Sequence, residues 1–156
     1  MTGTDSARIV TASRTIAAPA EQIFALVATP AEQIRIDGND NLSATDGQQR
    51  VSAVGDVFTM ELTNGETREN HVVEFEEKRL IAWLPAPVGE QPRGHLWRWE
   101  LEPLEDGQTK VTHTYDWTRL EDETRYARAL ATNEDYLQRS LEALERCLSE
   151  NSSLAH

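Results

Sequence analysis

From Trp97 to Trp117 the side chains alternate. Odd positions carry Trp97, Trp99, Leu101, Val111, His113, Tyr115 and Trp117, while even ones carry Arg98, Glu100, Lys110, Thr112, Thr114 and Asp116. A repeat of two is the period of a strand with one wet face and one dry face, and no helix satisfies it. The turn between the two halves decides whether their dry faces coincide. A two-residue loop at Asp106-Gly107 would set Trp97 and Trp99 beside Thr112, Thr114 and Asp116, mixing both faces. A three-residue loop, Glu105-Asp106-Gly107 with a left-handed Gly107, opposes Trp99 to His113 and Trp97 to Tyr115 and sends the charges outward. The second register is predicted. It commits the chain to a sheet with one strongly aromatic face, and such a face must be covered.

The cover is legible downstream, where the period switches to that of a helix. Tyr126 and Leu130 share one face of a segment over 122–131, and Thr132 with Asp135 reads as a fresh N-cap. Leu137, Leu141, Leu144 and Leu148 then line one side of a helix over 133–150. A rod of that length, on the order of 25 Å, crosses six or seven strands.

Upstream, a strand at 8–17 precedes two helix starts of the same composition, Pro19-Ala20-Glu21-Gln22-Ile23 and Pro30-Ala31-Glu32-Gln33-Ile34. Each places proline at the first helical position and glutamate in the first turn. Thr29 and Glu32 have the spacing of a capping box. Two short helices are expected, at 19–28 and 30–36. Further strands are expected at 41–45, 54–63, 67–76, 79–84, 95–104 and 109–118, with turns at Asp46-Gly47, Asn64-Gly65 and Asp106-Gly107. A two-residue loop at Asn64-Gly65 pairs Met60 with Glu69 and Phe58 with His71. It turns Phe58, Met60, Leu62, His71, Val73 and Phe75 inward, and Glu61 and Arg68 outward. Residues 85–94, with three prolines and two glycines, read as a loop and a candidate lid over a pocket mouth.

Composition narrows the partners. Fifteen Lys and Arg against 27 Asp and Glu give a net charge of −12 with no basic stripe, which argues against nucleic acid and anionic lipid surfaces. No run of eighteen apolar residues and no hydrophobic leader is present, so membrane insertion is not expected and the cytoplasm is the expected location. Cys147 is the single cysteine, so no intrachain disulfide can form. The length suits one domain over 1–156, with 1–7 and 151–156 expected as disordered tails.

With this element order the sequence resembles the START-like, or SRPBCC, superfamily, in its polyketide cyclase/dehydrase branch. The resembling residues are Ala18-Pro19-Ala20-Glu21-Gln22-Ile23-Phe24, Val54-Gly55-Asp56-Val57-Phe58, Trp97-Arg98-Trp99-Glu100-Leu101-Glu102-Pro103, the run from Thr109 to Trp117, and Ser140-Leu141-Glu142-Ala143-Leu144. The resemblance implies an α+β helix-grip fold. In it a curved antiparallel sheet of about seven strands carries two short helices after the first strand and a long C-terminal helix over the concave face. Members of the superfamily carry lipids, hold hormones, transform polyketides or bind chaperones, and they share no catalytic motif. Aromatase/cyclase members use pocket Arg, Tyr, Ser or His. Here His71, His113, Tyr115 and Tyr126 are of those types, while Arg98 faces outward in the register above.

The expected function is binding or carriage of a hydrophobic, aromatic or polyketide-like small molecule. Met60, Trp83, Trp97, Trp99, Tyr115, Leu137 and Leu141 are its expected walls, and Glu69, His71 and His113 its polar anchors. The alternative is an enzyme of the cyclase, aromatase or dehydratase type. In it His113 or His71 abstracts a proton and Tyr115 donates a hydrogen bond to the developing enolate. A protein-interaction module without a small ligand is a third reading, and a homodimer is left open as a partner. No HExxH, GxGxxG, phosphate loop or GxSxG motif is present, so no metal and no cofactor is expected. Asp37-Gly38-Asn39-Asp40 reads as a helix C-cap loop rather than a cation loop.

Overall fold

All seven expected strands form one antiparallel sheet in the computed structural model, which describes residues 8–45 and 50–154. β1 (Ile9–Ile16) leads into α1 (Ala20–Val27) and α2 (Pro30–Arg35). Then come β2 (Leu42–Ala44), β3 (Val57–Leu62), β4 (Thr67–Glu76), β5 (Leu80–Pro87), β6 (Leu96–Pro103) and β7 (Thr109–Asp116). A 3-10 turn (Glu123–Arg125), α3 (Tyr126–Ala131) and α4 (Glu134–Leu154) follow. Across the sheet the order is β1-β7-β6-β5-β4-β3-β2, so the first strand lies against the last. The helix-grip architecture is thus present, with α4 packed over β1 and β7. Leu137, Leu141 and Leu144 are fully buried there, each contributing roughly 1.5–3 kcal/mol of transfer free energy. The α1 face built from Ile23, Phe24, Leu26 and Val27 joins the same core. The Asp46-Gly47 turn and residues 1–7 lie outside the described residues, and α4 continues to Leu154, past the expected end at 150.

The Trp97–Trp117 hairpin has the expected register. Trp99 opposes His113 and Trp97 opposes Tyr115. The Leu104 amide donates to the Gln108 carbonyl at 2.7 Å across a three-residue loop. Gly107 is left-handed (φ 73°), and so is Asp106 (φ 63°). Arg98 stands on the outer face with Glu74 and Glu100, 3.2 and 3.4 Å from its guanidinium.

The β3–β4 hairpin corrects the expectation by one residue. Met60 opposes Arg68, Phe58 opposes Asn70 and Val57 opposes His71. The loop here also has three residues. The Thr63 amide donates to Asn41 O (2.9 Å) and its hydroxyl to Asp40 O (2.7 Å), so the chain beside β2 takes up the groups that would have paired with Glu66. Leu62 pairs with Glu66 instead, around a left-handed Gly65. One step of register exchanges the faces of β4. Arg68, Asn70 and Val72 turn in, while Glu69, His71 and Val73 turn out. A shift in register between Val72 and Glu74 then returns Phe75 to the core, where it meets Phe24 edge to face at 5.6 Å.

Three smaller expectations also change. Neither N-cap forms as foreseen. The Thr29 hydroxyl donates back to Ala25 O (2.6 Å) and Glu32 pairs with Arg35. Thr132 likewise bonds back to Arg128 O, and it is Asn133 Oδ1 that accepts the Tyr136 amide (3.0 Å) at the start of α4. The strand β5 does not stop at Leu84 but runs through Pro85 and Pro87. Its pairing with β6 ends at Trp83, so beyond that point it bonds only to β4, and an edge strand tolerates proline on its unpaired side.

Candidate functional site

The inner face of the sheet is not filled to its edge. Where β5 and β6 part company beyond Trp83 and Trp97, a cavity of about 310 Å³ opens. The sheet bounds it on one side. The α2–β2 loop, the 3-10 turn, α3 and the first two turns of α4 bound the other. That volume sits at the small end of the roughly 300–1,000 Å³ typical of small-molecule pockets.

Alternation along the strands supplies the apolar wall: Met60 from β3, Trp83 and Pro85 from β5, Trp97 and Trp99 from β6. Phe58 stands behind Trp83, edge to face at 5.3 Å, and fixes its ring. Beside them, His113 and Tyr115 project from β7 on the same face. The His113 ring lies nearly parallel to both indoles, 3.7 Å from Trp99 and 5.5 Å from Trp97 between ring centres. Trp97 also meets Tyr115 at 4.5 Å and Tyr136 of α4 at 6.1 Å.

The polar groups in this wall are held neutral by burial. His113 is completely enclosed, and desolvation pushes its pKa down to about 3. Its Nδ1 lies 3.1 Å from the Arg98 carbonyl, which can only accept, so the proton sits on Nδ1 and Nε2 carries the lone pair. His95, just before β6, is held down to about 4 by burial and by the positive charges of Arg125, Arg68 and Arg128. Its Nδ1 is buried without a hydrogen-bond partner among the described residues. Burial raises Tyr115 to about 12 and raises Tyr136 as well, so both phenols keep their protons.

The α2–β2 loop forms the far rim. Gly38 is left-handed and so close to α4 that a β-carbon there would strike the Arg139 carbonyl. Asn39 Nδ2 donates to Tyr136 O (2.9 Å) and the Ser140 hydroxyl to Asp37 O (2.5 Å), which ties the loop to the helix. The Asp37 carboxylate accepts from the amides of Asn41 and Leu42, while burial works against those bonds and raises its pKa. The loop is a structural clasp. Among the described residues no group of three His, Cys, Asp or Glu is placed to hold a metal ion.

Of the residues singled out in the sequence, Met60, Trp83, Trp97, Trp99, His113 and Tyr115 line this cavity. Four others do not. Leu137 and Leu141 are fully buried in the core rather than at the cavity surface. His71 and Glu69 stand on the outer face through the register step at β3–β4, and Glu69 there accepts the Gly89 amide at 2.7 Å, holding the β5–β6 loop. Sequence reasoning missed His95, Asn70, Arg68, Arg125, Arg128 and Tyr136, all of which line the cavity. The same register error hid Arg68 and Asn70. Arg125 and Arg128 stand three apart beside the buried Ala129, a spacing that could have flagged them.

Comparison with known proteins agrees with the fold. A family model described as "Polyketide cyclase / dehydrase and lipid transport" matches residues 7–148. The chain is 32% identical over 111 residues to the uncharacterized protein Rv0088 of Mycobacterium tuberculosis. That match covers 69% of this chain and 47% of the relative, so the chain spans about half the length of the curated relatives it matches. Among solved structures it is similar to protein MLL2253 of Mesorhizobium loti (TM-score 0.69, 19% identity, 92% of this chain and 98% of that one). It is likewise similar to the Polyketide_cyc-like protein Cgl2372 of Corynebacterium glutamicum (TM-score 0.64, 21% identity, 95% of each chain). At these identities the structural likeness carries the fold alone.

Proposed function

The chain belongs to the polyketide cyclase/dehydrase and lipid transport family, within the START-like superfamily, and on that premise we propose that it binds one flat, apolar small molecule in the cavity above β5, β6 and β7. The observation that carries this reading is the placement of Trp83, Trp97 and Trp99 around an unfilled volume of about 310 Å³. Close-packed interiors leave few spaces larger than a water molecule, so a space of this size beside three indoles is a site rather than core. Three indoles present broad faces for stacking on a conjugated guest. The protonated hydroxyls of Tyr115 and Tyr136 offer donors to a carbonyl on it.

The acid–base alternative draws less support from the site. His71 faces away from the cavity, and His113, with a pKa near 3, is too weak a base to take a proton from carbon near neutral pH. Tyr115 keeps its donor role in either reading.

Tryptophan emission tests the proposal. Naphthylmethanol and other neutral bicyclic guests should quench it saturably. The response should survive in Trp117→Phe, because Trp117 packs on Tyr126 away from the cavity. Trp97→Ala should weaken binding about tenfold, the loss of one stacked ring at roughly 1–1.5 kcal/mol. Emission indifferent to every guest, or an affinity unchanged in Trp97→Ala, would refute it.

A further inference from the structure

On a chain with a net charge of −12, three arginines converge on one cavity. Arg68 reaches it from β4, Arg125 from the 3-10 turn and Arg128 from α3. Arg68 is the most deeply set, its side chain only 12% exposed. A guanidinium stays charged in any such setting, so these groups hold positive charge at the rim of an apolar chamber, where a nearby anion is attracted far more strongly than in bulk water.

Two carboxylates pair with these three guanidinium groups. Arg68 pairs with Glu66, a carboxylate 54% exposed, and Arg125 with Asp122 at 3.2 Å, 35% exposed. Each of these carboxylates reaches solvent, so a ligand anion can displace it at modest cost. Arg128 donates to the neutral amide oxygen of Asn41 at 2.7 Å. Asp37 and Asp40 face the cavity from the opposite rim, and the Asp37 carboxylate is already committed to the Asn41 and Leu42 amides. At the arginine end sits His95, whose buried Nδ1 lacks a hydrogen-bond partner among the described residues. The charges acting on that ring are those of Arg125, Arg68 and Arg128. The aromatic floor and the cationic rim are therefore two ends of one site.

We infer that the guest is an amphiphilic organic acid: its carboxylate is set against Arg68, Arg125 and Arg128, and its flat apolar body lies on Trp83, Trp97 and Trp99. This rests on the binding proposed above and names the class of ligand. The planar guanidinium fork matches a carboxylate in two parallel hydrogen bonds, which a neutral ester or alcohol cannot reproduce. Arg125 and Arg128 lie on the 3-10 turn and α3 respectively, so a bound acid also ties those segments down against the sheet.

The test compares acids with their own methyl esters on the intact chain, naphthylacetate and decanoate each against its ester, by calorimetric titration. Each acid should bind about ten- to a hundredfold more tightly than its ester, the range expected for hydrogen bonds to a charged group. Raising the salt from about 0.05 to 0.5 M should erode the acid's advantage and leave the ester unmoved. The double variant R125M/R128M changes side chains at the rim of the site. It should lose at least tenfold for the acids and far less for the esters, so that the acid's advantage over its own ester collapses. Acid and ester binding equally well would overturn this inference and leave the apolar pocket standing. If neither member of either pair bound, the pocket reading itself would fall, and this inference with it.

Discussion

At the scale of single residues, His113 and His95 show what burial costs in a sheet this aromatic. Each ring is kept neutral, with pKa values near 3 and 4 against an ordinary 6.5. The unfolded chain therefore binds protons that the folded chain refuses. Stability is complete above about pH 6.5 and falls as the pH drops toward 4, by up to about 1.4 kcal/mol per pH unit for each ring. The carboxylates of Glu66 and Asp122, lowered chiefly by hydrogen bonds from Arg68 and Thr124, add their own loss as the pH falls through about 4.5 and below, at the acid end of the histidine window. His95→Gln should therefore remove about half of the loss between pH 6.5 and 4.5, read as the change in urea midpoint. A midpoint profile as steep as that of the parent chain would contradict a neutral, buried His95. Single residues were unevenly legible. Alternation alone placed Trp97, Trp99, His113 and Tyr115, because a strand obliges every second side chain to share a face. The same alternation ran through His95, the first residue of the strand expected at 95–104, but gave no reason to single it out, and the strand itself begins only at Leu96.

At the scale of elements, the two hairpins teach the same lesson from opposite sides. Both Asn64-Gly65 and Asp106-Gly107 close through three-residue loops. In the second, the pattern of aromatic and charged residues forced that conclusion. In the first, a two-residue loop already gave one apolar and one charged face, and the deciding contact came from Thr63 bonding to residues 40 and 41, more than twenty positions upstream. No local pattern contains that information. The prolines of β5 misled for a related reason: they look like loop residues until one knows that β6 has already turned away. The clasp at Gly38 gives an element-scale prediction. Gly65→Ala, where the left-handed backbone is the only penalty, should cost about 1 kcal/mol. Gly38→Ala adds a collision with the backbone of α4 and should cost about 3 kcal/mol or more, because the rim of the cavity must lift from the helix. Chemical denaturation of the two variants side by side measures the difference, and equal losses would show that the loop is not held against α4.

At the scale of the whole molecule, function depends on a mismatch between a wide aromatic sheet and the helices that cover it. The long helix packs on β1 and β7, at one side, and the shorter elements roof the rest without filling it. The element order and the inner face of β6 and β7 were readable from sequence. The position of the void was not, since it arises where β5 and β6 diverge and where the arginines of α3 and β4 meet across the fold. Met60 lies in the wall of that void, and Met1 is the only other methionine in the chain. With the methionine methyls labelled with carbon-13, a naphthyl guest should shift the Met60 signal and show direct proton–proton contacts to it. Saturable binding that leaves the Met60 methyl untouched would place the guest elsewhere and contradict the account.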